Sequence, residues 1–178
     1  MLETDPSDAI VAIPLTRRRF LGISCGTLSS SLVGGLTPVV TTAHAQAPQA
    51  ENYPTLDIIA LDGLKEDTPV SFNYPDATSP AVLVRLRQPA EGGIGPDRTI
   101  VAYSILCTHK GCPVAYRPER KLLICPCHWS SFDPAKGGQM VIGQGSQALP
   151  QIALRLNGSM IQAIGVTGLI YGRETNIL

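Results

Sequence analysis

Two short stretches constrain this chain more than any other part of it: Cys107-Thr108-His109-Lys110-Gly111-Cys112-Pro113, and Cys125-Pro126-Cys127-His128-Trp129-Ser130-Ser131-Phe132-Asp133. Each holds a Cys–His pair, Cys107-x-His109 in the first and Cys125-x-x-His128 in the second, plus one extra cysteine. The 15 residues between His109 and Cys125 (110–124) suffice for a hairpin that returns the second stretch beside the first. Two Cys and two His on adjacent loops can hold a metal. Two further Cys, one per loop, can lock the loops together. The chain has five Cys and three His; Cys25 and His44 lie near the N-terminus, and all the others fall in these two stretches. A lone cysteine is ordinarily a small buried hydrophobe, and that role does not explain six such residues confined to two loops.

Thiolate and imidazole ligands suit a tetrahedral zinc site. They equally suit a [2Fe–2S] centre in which two His replace two Cys on one iron. The order Cys-Thr-His-x-Gly-Cys-Pro, then Cys-Pro-Cys-His, resembles the two boxes of Rieske proteins residue for residue. That resemblance implies one [2Fe–2S] cluster, with Cys107 and Cys125 on one iron and His109 and His128 on the other. It also implies a disulfide between Cys112 and Cys127, a bond that persists in an oxidising compartment. Neutral imidazoles leave less negative charge on the cluster than four thiolates would, which raises its potential.

Hydrogen bonds to the sulfurs tune such centres. High-potential relatives in cytochrome bc complexes carry Cys-Pro-Cys-His-Gly-Ser and a Tyr two residues after the Ser. Here Ser130 keeps the hydroxyl, Phe132 replaces the Tyr and Trp129 replaces the Gly. One donor is missing, so the expected potential is lower than in those relatives.

Residues 1–45 read as an export segment. Thr16-Arg17-Arg18-Arg19-Phe20-Leu21 resembles the twin-arginine signal, Leu21 to Val40 is weakly apolar, and Ala43-His44-Ala45 is a small-x-small cleavage site. The mature chain would begin at Gln46 and form one domain, 46–178. An iron–sulfur protein loaded in the cytoplasm and exported folded fits a periplasmic location. Membrane association follows only if the segment is retained, and its glycines and Pro38 make a poor anchor. Net charge is zero, with 14 basic and 14 acidic residues and no basic stripe, so nothing recommends nucleic acid as a partner.

From Thr55 onward the pattern is β. Leu56–Leu61, Pro69–Pro75, Ala81–Arg87, Ile100–Leu106 and Leu122–Ile124 read as strands. In Ala81–Arg87 the residues Val82, Val84 and Leu86 share one face, with Arg85 and Arg87 on the other. Asn157-Gly158 between Ile152–Leu156 and Met160–Ile164 predicts a hairpin with a type I′ turn. Gly137-Gly138 reads as a plain turn rather than a third covering loop. The fold class is all-β: an antiparallel β-sandwich or small barrel. The Rieske resemblance adds an inserted cluster-binding subdomain at about residues 105–140.

Outside the boxes, Val70–Asp76, Gly92–Asp97, Ile100–Ser104 and Gly168–Arg173 resemble the small subunits of arsenite oxidases, over most of the mature domain. This implies an electron-transfer subunit beside a molybdopterin-containing large subunit. Electrons from arsenite would pass through this chain to a periplasmic cytochrome c or copper protein, with His109 and His128 at the exit. The catalysis would belong to the large subunit. The alternative is the Rieske subunit of a cytochrome bc-type quinol-oxidising complex, with a retained anchor.

Overall fold

The computed structural model describes residues 53–177. The export segment read at 1–45, with Cys25 and His44, lies outside the described residues. Ten strands are found among the described residues. They are β1 (Leu56–Ala60), β2 (Val70–Asn73), β3 (Pro80–Arg85), β4 (Ile100–Ser104) and β5 (Ala115–Arg117), then β6 (Leu122–Ile124), β7 (Ser131–Asp133), β8 (Gln139–Ile142), β9 (Gln151–Asn157) and β10 (Met160–Thr167). One 3-10 turn, Leu61–Gly63, ends the first apolar run one residue early.

The strands form two antiparallel sheets, one of six strands in the order β1-β10-β9-β4-β3-β2 and one of four in the order β5-β6-β7-β8. The fold is the expected all-β one, with the smaller sheet inserted between β4 and β9. β8 runs to Ile142, and a further loop, 143–150, returns the chain to β9.

β3 departs from the one-face reading. Its Val82 and Val84, followed by Leu86, pack into a core shared with Val101, Tyr103, Cys107, Tyr116, Leu123 and Phe132. Its Ala81 and Leu83 pack into a second core with Ile100, Ala102, Ile152, Ile161 and Ala163. The alternation was real, but both faces are covered. The smaller sheet lies on one face, and the rest of the large sheet curls over the other. β3 and β4 are therefore the wall between two cores, and the cluster loops grow from that wall. Each Val, Leu, Ile or Phe side chain fully buried here contributes roughly 1.5–3 kcal/mol.

Polar contacts join the two sheets. Tyr116 on β5 donates its hydroxyl to Asp67 Oδ1 at 2.8 Å, and Arg87 Nε donates to Asp67 Oδ2 at 2.5 Å. Tyr103 on β4 donates to the Pro134 carbonyl at 2.9 Å. These bonds hold the smaller sheet against β3 and β4.

The β9–β10 hairpin forms, one residue out of the expected phase. Asn157 pairs with Met160, so the two turn residues are Gly158 and Ser159. Only Gly158 has positive φ (60°) among them, the pattern of a II′ rather than a I′ turn. Gly137 and Gly138, with φ of 58° and 71°, sit in the turn between β7 and β8, as a plain turn requires.

Candidate metal centre

β4 delivers Cys107 and β6 delivers Cys125, and the two loops that follow are the same turn built twice. Cys107 N–H donates to the Cys112 carbonyl (3.0 Å), and Gly111 N–H donates back to the Cys107 carbonyl (2.8 Å). Cys125 N–H donates to the Ser130 carbonyl (2.9 Å), and Trp129 N–H donates back to the Cys125 carbonyl (3.0 Å). A cysteine N–H and carbonyl are thus both satisfied within each loop, which fixes where the thiol points.

The turns bring all six predicted residues together. Cys107 and Cys125 are each 1% exposed, and both are free thiols. His109 is half-buried and His128 exposed. Their Nδ1 atoms lie 3.2 Å apart, with the rings edge to face. Cys112 and Cys127 are bonded to each other across the loops. The sulfurs of Cys112, Cys125 and Cys127 lie within 4.8 Å of one another. Two of those three are spent in the disulfide, so they do not form a three-cysteine metal site.

Burial pushes the Cys107 thiol above its ordinary pKa, and the adjacent Cys125 sulfur adds to this. The His109 backbone N–H and the Ser130 hydroxyl work against the shift. Two neighbouring thiolates in a dry pocket are unfavourable without a compensating cation, and a bound metal supplies one. Two convergent buried thiols and two convergent imidazoles fit the donor set of a [2Fe–2S] centre with mixed ligands.

Ser130 and Phe132 are both fully buried, at 0% exposure. Ser130 Oγ accepts the Gln144 N–H at 3.0 Å. Phe132 is a core residue of the first cluster of apolar side chains.

The sequence reading missed a third loop, 143–147, which lies over both boxes. A Cβ on Gly143 would meet Ser130 Cα at 2.3 Å, and one on Gly145 would meet Thr108 Oγ1 at 2.7 Å. Thr108 Oγ1 donates to the Gln147 carbonyl (2.7 Å), and Ser146 Oγ donates to the Thr108 carbonyl (2.9 Å). The Gly-x-Gly spacing was the only sequence signal for this loop, and it reads equally well as an ordinary turn.

Beside His128 the surface is apolar. Trp129 is 72% exposed, Ile142 and Val141 are also exposed, and a groove of about 690 Å³ runs from Trp129 past Ile142 to Arg117 and Arg120.

Comparison with known proteins agrees with this geometry. The family described as the Rieske [2Fe-2S] domain matches residues 56–153. The chain belongs to the Rieske family, and its cofactor is one [2Fe–2S] cluster. Among curated relatives, the iodate reductase subunit IdrB of Pseudomonas sp. (strain SCT) is 40% identical over 90% of this chain and 84% of its own length. That of Denitromonas iodatirespirans is 36% identical over 97% and 92%. A cytochrome bc1 complex Rieske subunit from Streptomyces lividans is 43% identical, but over 37% of this chain and 40% of its own length. The soluble domain of Rieske protein II (soxF) from Sulfolobus acidocaldarius shares the fold, with a TM-score of 0.63 at 21% identity over 70% of this chain and 84% of that one.

Proposed function

We propose that this chain is the electron-transfer subunit of arsenite oxidase, a periplasmic complex. It would receive electrons from a molybdopterin-containing large subunit and deliver them to a cytochrome c or a small copper protein. Cys107 and Cys125 would hold one iron, and His109 and His128 the other. The bound cluster supplies a one-electron couple. The observation that carries the reading is the polarity of the site: both thiols are buried, whereas His128 lies at the surface and His109 half reaches it. The buried pair excludes water from the sulfurs. The histidine side offers a partner the shortest approach.

The segments outside the boxes support the arsenite assignment: Val70–Asp76, Gly92–Asp97 and Gly168–Arg173 resemble arsenite oxidase small subunits. The iodate reductase relatives, matched over nearly the whole chain, favour a second reading. In that reading the same residues work in the opposite direction, passing electrons toward the large subunit. The bc-type alternative rests on a match confined to 37% of the chain. The export route through residues 1–45 belongs to the proposal as well.

Low-temperature EPR on the native periplasmic complex separates these readings. A Rieske signal with arsenite as sole reductant is the expected result. A signal that needs dithionite and is erased by iodate would transfer the assignment to the iodate direction.

A further inference from the structure

The segment after β10 comes back to the first cysteine loop. Gly111, which closes that loop with φ of 73°, lies directly under the ring of Tyr171: a Cβ on Gly111 would meet Tyr171 Cδ1 and Cε1 at 2.8 Å. The same segment is tied to the third loop, because Gln147 Nε2 donates to the Leu169 carbonyl at 3.0 Å. Gln147 in turn accepts the Thr108 hydroxyl, so one residue joins the C-terminal segment to the loop that carries His109.

The segment is itself anchored far from the cluster loops. Arg173 holds Asp76 with both terminal nitrogens, at 2.6 and 3.0 Å, and also donates to Thr78 Oγ1 at 2.9 Å. Buried Asn176 accepts the Ile170 N–H at 2.9 Å and donates to the Gly168 carbonyl at 2.8 Å and to Tyr53 Oη at 3.0 Å. Ile170 between them is fully buried. These bonds fix residues 168–176 to the large sheet and leave Tyr171 projecting toward Gly111. A cavity of about 270 Å³, lined by His109, Gln144, Gln147 and Tyr171 among others, separates this segment from the histidine.

We propose that Tyr171 is a positioning residue for His109. Its ring clamps Gly111 and so holds the first loop in the shape that presents His109 opposite His128. The disulfide fixes the other side of that loop through Cys112. The loop is then gripped from two sides, once covalently and once by packing. The packing contact belongs to a segment anchored on the large sheet, so the position of His109 depends on residues outside the inserted sheet. The inference rests on His109 being a cluster ligand.

The test uses the loaded full complex with Tyr171→Ala, Tyr171→Phe, Gly111→Ala and the double variant Gly111→Ala/Tyr171→Ala. Tyr171→Ala should release its cluster to a chelator about tenfold faster, the factor that about 1.4 kcal/mol of lost ring packing produces. Its EPR line shape and midpoint potential should move, while Tyr171→Phe matches the wild type. Gly111→Ala should show the same defect, because its methyl displaces the ring and any side chain is strained at that φ of 73°. The double variant should lose its cluster no faster than Gly111→Ala alone; a further loss in the double variant would show that the two residues act independently and would overturn the clamp. A purely structural contact would lower the unfolding temperature of Tyr171→Ala and leave its potential and line shape alone; that result overturns the proposal. A wild type with no Rieske signal overturns the ligand assignment itself, and the clamp with it.

Discussion

Gly111 and Trp129 occupy the same position of the same turn. Each donates its N–H to the carbonyl of the cysteine four residues earlier, and each has a left-handed backbone, with φ of 73° and 60°. Glycine takes that conformation freely, whereas a bulky aromatic residue is strained there. The chain accepts the strain in the second loop and places an exposed indole next to His128.

Trp129→Gly should therefore stabilise the protein by about 1 kcal/mol, the low end of the range for a residue held in a sparsely populated backbone region. The side chain is 72% exposed, so little packing is lost in exchange. Thermal unfolding of the loaded domain checks this. A drop in stability would mean that the indole packs on its surroundings more tightly than its exposure indicates.

Ser130→Ala should lower the midpoint potential. The hydroxyl holds the Cys107 thiol pKa down, so it favours negative charge on that sulfur and with it the more negative, reduced state. A shift on the order of 60 mV corresponds to about 1.4 kcal/mol for one electron. The substitution also leaves the Gln144 N–H without its acceptor, so the third loop should loosen. A redox titration followed by EPR reads the first effect, and amide exchange at Gln144 the second.

Phe132→Tyr should raise the potential, because it restores the hydroxyl donor that high-potential relatives carry. The ring is fully buried, so the new hydroxyl must find an acceptor or the protein loses stability. An unchanged or lower potential in a folded variant would remove the argument that the missing hydroxyl depresses it.

Cys112→Ser should shorten the lifetime of the cluster more than it changes its ligation. The bridge joins residues 15 apart, and closing a loop of that size is worth about 3 kcal/mol in the chain-entropy account. The EPR signal should keep its Rieske form in fresh samples and decay faster on warming. A signal of altered form at the outset would show that the bridge also sets ligand geometry.

The Arg173–Asp76 pair should make stability depend on acid. The Arg173 bond, then the Thr78 bond, hold the Asp76 carboxyl well below the usual carboxylate range. A depressed folded pKa contributes stability that is present above the unfolded value of about 4 and disappears as the pH falls through the folded one. Asp76→Asn should therefore cost stability at pH 7, by less than about 1 kcal/mol because the pair is partly in water. The gap between variant and wild type should close as urea titrations move from about pH 4 toward pH 2. A gap that persisted at low pH would assign the effect to packing instead.

The cluster-facing residues were legible because their chemistry dictates their spacing. A turn that carries a thiol at one position reaches a shared centre with an imidazole only two or three residues later, and Cys107-x-His109 and Cys125-x-x-His128 obey that geometry. The disulfide partners came from family resemblance, and the loops place them together. Apolar runs gave β4, β6, β9 and β10 their signals, whereas β5, β7 and β8 mix apolar with polar or charged residues over three or four positions and left too little pattern to be seen alone. Such strands form only because β6 and the wall of β3 and β4 are already in place beside them.

The sequence alone determined the Cys and His set, the all-β class and where the main strands lie along the chain. These follow from local chemistry: metal-ligand spacing, β-branched runs and glycine turns. The tertiary structure decided that β3 is buried on both faces, that loop 143–147 covers the boxes, and that Tyr171 rests on Gly111. Those are contacts between residues far apart in the chain. Their side chains look ordinary in sequence, and only the close approach of two backbones shows what they do.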